Sequence, residues 1–169
     1  MKKVLIVIDM QNDFITGSLG TKEAQLIVPA VAERCRQAKA AGVDIIFTQD
    51  THGADYMDTQ EGRKLPVLHC VKGTSGWEIC SALLPYAERT IEKPAFGSVK
   101  LAEELCADYD SFELCGLCTD ICVISNAMLL KAFYPEKEVS VIAGLCAGVT
   151  PESHENALSA MRMCQIGII

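Results

Sequence analysis

Val4-Leu5-Ile6-Val7-Ile8-Asp9, five apolar residues closed by a carboxylate, is the stretch that decides the fold. A run of β-branched and aliphatic residues with no polar alternation is buried on both faces. That is the signature of a strand inside a parallel sheet covered by helices. Met1-Lys2-Lys3 ahead of it gives the N-terminus a superficial likeness to a signal peptide. Five apolar residues are too few for the core of such a peptide and far too few to cross a bilayer, so no membrane role is expected and a cytoplasmic location is.

Working outward, Val43–Thr48, Thr90–Ile91, Phe112–Leu117, Val139–Ala143 and Gln165–Ile168 read as further strands of the same kind. Segments with helical spacing separate them. Pro29–Ala41 places Val31, Cys35 and Ala38 on one face, with Pro29 suited to a first turn and Gly42 to a stop. Val99–Ala107, Asp120–Phe133 and Glu152–Cys164 are the other predicted helices. Thr150 is placed to cap the last of these, with Pro151 in its first turn and Glu152 at the positive end of its dipole. The βαβα alternation predicts a doubly wound α/β fold, and 169 residues with half the composition hydrophobic suit a single domain over residues 1–169.

The net charge of −7 argues against a face that neutralises phosphates, so nucleic acid is not an expected partner and a small molecule is. The nine cysteines are irregularly spaced, which predicts reduced thiols, most of them small core residues.

In doubly wound folds ligands bind beyond the carboxyl ends of the strands, and those positions are rich in chemistry here. Asp9 follows the first strand, Asp50 and His52 the second, Lys93 the third, and Cys122 the fourth by one helical turn. Thr119 or Asp120 is placed to cap that helix. Unpaired N–H groups and the dipole at its start would then lower the Cys122 thiol pKa and stabilise an oxyanion. Two other readings of this segment stand. Cys122 can be a buried helix residue, and Cys115-x2-Cys118-x3-Cys122 has metal-ligand spacing, although Cys115 lies within the strand and Cys118 at its exit.

Three segments carry a more specific signal: Asp9-Met10-Gln11-Asn12-Asp13-Phe14, Glu92-Lys93-Pro94-Ala95-Phe96, and Gly116 through Val123. In order and separation they resemble the signature segments of the isochorismatase-like cysteine hydrolases. The resemblance implies a three-layer α/β/α fold on a six-stranded parallel sheet of order 3-2-1-4-5-6. It also implies a triad of Asp9, Lys93 and Cys122, in which Asp9 is the base and proton shuttle and Lys93 supplies positive charge. It further implies a cis peptide between Leu117 and Cys118, with the backbone N–H groups of Cys118 and Cys122 as oxyanion donors. For Asp9 and Lys93 taken alone, a turn carboxylate and a solvated amine are the ordinary readings.

Asp50, His52 and His69 resemble the metal-binding pattern of the family's nicotinamidase branch, with Glu61 in place of a further histidine. The implied cofactor is a divalent ion, zinc first and iron or manganese next, with no organic cofactor. Phe14 and Phe96 are the expected pocket walls. Trp77 is expected to be a packing residue and His154 a surface residue. The leading expectation is hydrolysis of nicotinamide to nicotinate and ammonia through a thioester. Hydrolysis of another small amide, carbamoyl or ureide compound on the same triad, and a non-catalytic ligand-binding role, are the competing ones. Members of this family commonly assemble as homo-oligomers, and the same is expected here.

Overall fold

Six strands build the centre of the molecule: β1 (Lys3–Ile8), β2 (Asp44–Asp50), β3 (Thr90–Lys93), β4 (Ser111–Leu117), β5 (Glu138–Ala147) and β6 (Gly167–Ile168). The computed structural model describes residues 2–105 and 108–169. Every pairing is parallel and the order is β3-β2-β1-β4-β5-β6. Val4 through Ile8 are wholly buried between β2 and β4, as an unalternating apolar run requires.

The helices are α1 (Asn12–Ile15), α2 (Lys22–Ala40), α3 (Gln60–Lys64), α4 (Val99–Leu105), α5 (Ile124–Phe133) and α6 (Pro151–Met163). Right-handed crossovers running outward from β1 in one direction and from β4 in the other put their helices on opposite faces of the sheet. Accordingly α2 packs across β2, β4 and β5, while α4, α5 and α6 pack beside one another. The reversal of direction between β1 and β4 opens a crevice at their carboxyl ends.

Two helix expectations change. The first long helix begins seven residues earlier than Pro29 implied, because Thr21 caps it by accepting the Ala24 N–H and Ala24 joins the buried face of Val31, Cys35 and Ala38. Pro29 therefore sits inside α2. The segment expected to run as one helix from Asp120 instead opens with a single wide turn, Thr119–Val123, before α5 proper. The predicted end of α4 at Cys106 and Ala107 falls outside the described residues. At α6 the cap is as expected: Thr150 Oγ1 accepts the Ser153 N–H, and Ser153 Oγ accepts the Thr150 N–H in return.

Candidate active site

β2 and β3 pair with Asp50 directly beside Lys93, so their side chains leave the sheet together. Lys93 is completely buried, which excludes a solvated amine. Its Nζ lies 2.7 Å from Asp9 Oδ2, 3.0 Å from Asp50 Oδ1, 3.1 Å from the Ala95 carbonyl and 3.4 Å from Cys122 Sγ. Asp9, also fully buried, is not a simple turn carboxylate. It takes a left-handed backbone conformation at the end of β1 (φ +46°). Thr48 then clasps it twice: Thr48 Oγ1 accepts the Asp9 N–H at 3.2 Å and donates to Asp9 Oδ1 at 2.6 Å.

Burial opposes the charge on Lys93, but Asp9, the Cys122 sulfur and Asp50 outweigh it and hold the amine above its ordinary value. Burial raises the Asp9 carboxyl, with Lys93 pulling it back and Asp50 pushing it further up. Burial also raises the Cys122 thiol well above its usual range, reinforced by Asp9 and opposed by Lys93. Burial and the neighbouring Asp9 thus push the thiol up, whereas a helix start alone would lower it.

The capping expectation fails for the same segment. Neither Thr119 nor Asp120 caps the turn; Cys118 occupies the cap position, and its carbonyl accepts the Ile121 and Val123 N–H groups. The Asp120 carboxylate accepts the Val149 N–H instead, and Thr119 Oγ1 lies 2.7 Å from His154 Nδ1. His154 is therefore half-buried and tied to the cysteine turn rather than standing on the surface. The Leu117–Cys118 peptide is cis. Gly116 has a φ of +114°, and a Cβ there would collide with the Ile8 carbonyl. Only glycine lets β4 pass so close to the residue preceding Asp9.

Across the crevice, ligand atoms of Asp50, His52 and His69 lie within 4.8 Å of one another. Asp50 Oδ2 is 3.0 Å from His52 Nε2 and 3.7 Å from His69 Nε2, and Glu61 Oε1 is 3.8 Å from each imidazole nitrogen. His69 Nδ1 donates to the Val67 carbonyl at 2.8 Å, which turns Nε2 toward the carboxylates. Two imidazoles with two carboxylates suit zinc, iron or manganese, so the residues present fit a divalent ion. Asp50 belongs to both groups, with one oxygen on Lys93 and the other among the histidines. The three-cysteine metal reading fails. Cys115 is wholly buried in β4, and among the described residues the potential ligands gather at Asp50, His52 and His69.

A pocket of about 220 Å3 joins the two groups: Cys118, Cys122, Ile121, Phe14 and Phe96 line it together with Asp50, Glu61 and His69. Phe14 and Phe96, the expected pocket walls, both border this pocket. Leu19, Thr21, Leu65 and Val149 complete the lining and were not foreseen as pocket residues. A larger hollow of about 410 Å3 beside the start of β2 contains none of this chemistry. Trp77 is a tether outside the pocket: its Nε1 donates to Thr51 Oγ1, and its carbonyl accepts the Gln11 and Gln49 side-chain amides.

With this geometry in place, comparison with known proteins is decisive: the isochorismatase domain model matches residues 3–169. The chain belongs to the isochorismatase family. Among solved structures of similar proteins is the pyrazinamidase of Pyrococcus horikoshii in complex with zinc, 31% identical, with a TM-score of 0.86 over 100% of this chain and 99% of that one. Another is the nicotinamidase/pyrazinamidase PncA of Bacillus subtilis, 29% identical, with a TM-score of 0.86 over 99% of each chain. A third is the N-carbamoylsarcosine amidase of Thermoplasma acidophilum, 27% identical, with a TM-score of 0.82 over 99% of this chain and 95% of that one. The three signature segments of this isochorismatase-family chain lie at the ends of β1, β3 and β4.

Three supporting residues escaped the sequence reading. Thr48 is one. Gln11 is another: its amide accepts the Asp50 N–H at 2.7 Å and donates to the Asp50 carbonyl at 2.9 Å, splinting β1 to β2 beyond their last paired residues. Asn126 is the third, a fully buried amide four residues after Cys122. Gln11 lies inside the first signature segment, and Asn126 stands out in the sequence as a polar residue on the core face of an apolar helix.

Proposed function

We propose that the chain hydrolyses nicotinamide, or a close aromatic carboxamide, to the carboxylate and ammonia through a thioester on Cys122. One juxtaposition carries the reading. Cys122 Sγ, Lys93 and Asp9 stand in a chain of 3.4 Å and 2.7 Å contacts, and the thiol lines the same pocket as Asp50, Glu61 and His69. The likeness to the Bacillus subtilis nicotinamidase/pyrazinamidase supports the substrate class.

Asp9 takes the thiol proton as sulfur bonds to the carbonyl carbon. A carboxyl already held above its ordinary value is the stronger base for a reluctant thiol. Lys93 stays charged throughout and offsets the negative charge that develops on sulfur. The N–H groups of Cys118 and Cys122 receive the oxyanion. Asp9 then passes its proton to the amide nitrogen, the C–N bond breaks, ammonia leaves and the thioester remains. Water adds to the thioester carbonyl while Asp9 accepts its proton. Collapse releases the carboxylic acid, and Asp9 returns the proton to sulfur.

Asp50, His52 and His69 would hold the divalent ion, with Glu61 as a fourth donor. The zinc in the Pyrococcus horikoshii pyrazinamidase supports zinc as the first choice. Bound there, the ion supplies a Lewis-acidic anchor for a ring nitrogen, so its contribution is to orient the substrate.

Likeness to the N-carbamoylsarcosine amidase supports a second reading, a carbamoyl substrate on the same three residues. Ammonia release from nicotinamide, pyrazinamide, an N-carbamoyl amino acid and a ureide, with and without a chelator, separates the two. Nicotinamide turnover that weakens under chelation and vanishes in Cys122→Ala is the expected result. Cleavage of the carbamoyl compound alone, indifferent to chelator, would replace the substrate, and no cleavage of any amide would refute the reading.

A further inference from the structure

Between β3 and α4 the chain runs Pro94-Ala95-Phe96-Gly97-Ser98, and this loop touches the site at two points. Near its start the Ala95 carbonyl accepts from Lys93 Nζ at 3.1 Å. Further along, Asn126 takes hold of it: Nδ2 donates to the Phe96 carbonyl at 3.1 Å, and Oδ1 accepts the Ser98 N–H at 2.9 Å. The same Nδ2 donates to the Cys122 carbonyl at 2.8 Å. Two carbonyls facing Nδ2 and an N–H facing Oδ1 determine which way round the amide lies. Asn126 is fully buried in a helix whose other buried residues are Ala127 and Leu130, and an amide survives there only because its polar atoms are bonded.

Phe96 lines the pocket yet is 46% exposed, so packing does little to fix its ring. Its place is set by the backbone that carries it. We propose that Asn126 is a positioning residue that latches the 94–98 loop to the nucleophile turn and so sets the pocket wall formed by Phe96. The inference rests on the proposed amide hydrolysis for its kinetic consequence, but not for its structural one.

Hydrogen–deuterium exchange and nicotinamide kinetics on the wild type, Asn126→Ala, Asn126→Thr and Phe96→Ala test it. Threonine can return a hydroxyl to the Cys122 carbonyl one turn back, which keeps the helix intact, but it cannot also span the two loop groups. In both Asn126 variants, exchange at the Ser98 amide, whose N–H Asn126 Oδ1 accepts, should rise about 10-fold or more, while β1 and β4 stay as in the wild type. KM should rise about 3- to 10-fold with kcat within about 2-fold, because the loss falls on substrate binding. Phe96→Ala should reproduce the KM change while leaving Ser98 exchange unaltered. If both Asn126 variants merely melt earlier, with loop exchange and KM unmoved, Asn126 is a structural residue only and the proposal is overturned. If the wild type cleaves no amide, the proposed function has failed, and the exchange pattern alone upholds or overturns the latch.

Discussion

Replacing Lys93 with methionine nearly keeps the volume and removes the charge, which leaves two buried carboxyl groups facing an apolar side chain. Asp9 and Asp50 are 0% and 3% exposed, and the ammonium sits 2.7 Å from one and 3.0 Å from the other. Stripping one partner from a buried ionic group costs about 3–5 kcal/mol, because the remaining charge has lost its compensation. For a domain of this length each kcal/mol lowers the melting temperature by about 2–4 °C, so the drop at neutral pH should be roughly 6–20 °C. The pH dependence follows from the direction of the shifts. Asp9 already titrates above 3.8, and without Lys93 nothing pulls it back. The native state then holds a proton that the unfolded chain has lost. The deficit should be absent below the unfolded carboxyl value and grow as pH rises through the folded one. Melting curves by circular dichroism at pH 5 and pH 8, with chelator present throughout, measure both effects. A Lys93→Met variant as stable as wild type at pH 8, or one that loses more at pH 5 than at pH 8, would refute the reasoning.

Substitution of Gly116 by alanine should cost about 2–4 kcal/mol in chemical denaturation, since the added carbon meets the Ile8 carbonyl and φ is +114°. His69→Ala should weaken zinc binding in calorimetric titration by at least about 10-fold and raise KM for nicotinamide. Alkylation of Cys122 by iodoacetamide should change by less than about 3-fold, because the imidazole is no part of thiol activation. The acid limb of kcat/KM should lie above 3.8, where burial has moved the Asp9 carboxyl. Asp9→Asn should abolish that limb and lower kcat/KM by about 100- to 10,000-fold in a pH-rate profile.

β1 and β4 were legible within a residue at either end because burial on both faces writes itself as uninterrupted apolar runs, whereas the partly exposed β5 runs on to Ala147, four residues past its expected end, and β6 begins two residues late, at Gly167. The chemistry was legible for a related reason. A parallel sheet brings its carboxyl ends to one rim, so Asp9, Asp50, Lys93 and Cys122, scattered through the sequence, had to be near one another. What escaped was whatever depends on partners distant in sequence. Pro29 looked like a helix start because proline favours first turns, but the cap at Thr21 overrode it. The direction of the Cys122 shift could not be read from a helix start, because burial and the neighbouring Asp9, which raise it, depend on the folded surroundings. Thr119 and Asp120 were misassigned as caps because His154 and the Val149 N–H, about thirty residues away, claim their side chains. Gln11 lay inside a quoted segment, yet its role as a splint for Asp50 shows only when β1 and β2 are side by side.

The account turns on the sulfur of Cys122 carrying the acyl group between two proton transfers. Rapid acid quenching during nicotinamide turnover, followed by mass spectrometry of the digested protein, reads that species directly. A nicotinoyl group on the peptide containing Cys122, appearing before nicotinate and decaying as nicotinate accumulates, is the predicted result. Turnover with no acylated cysteine at any quench time, and with Cys122→Ala still releasing ammonia, would contradict it.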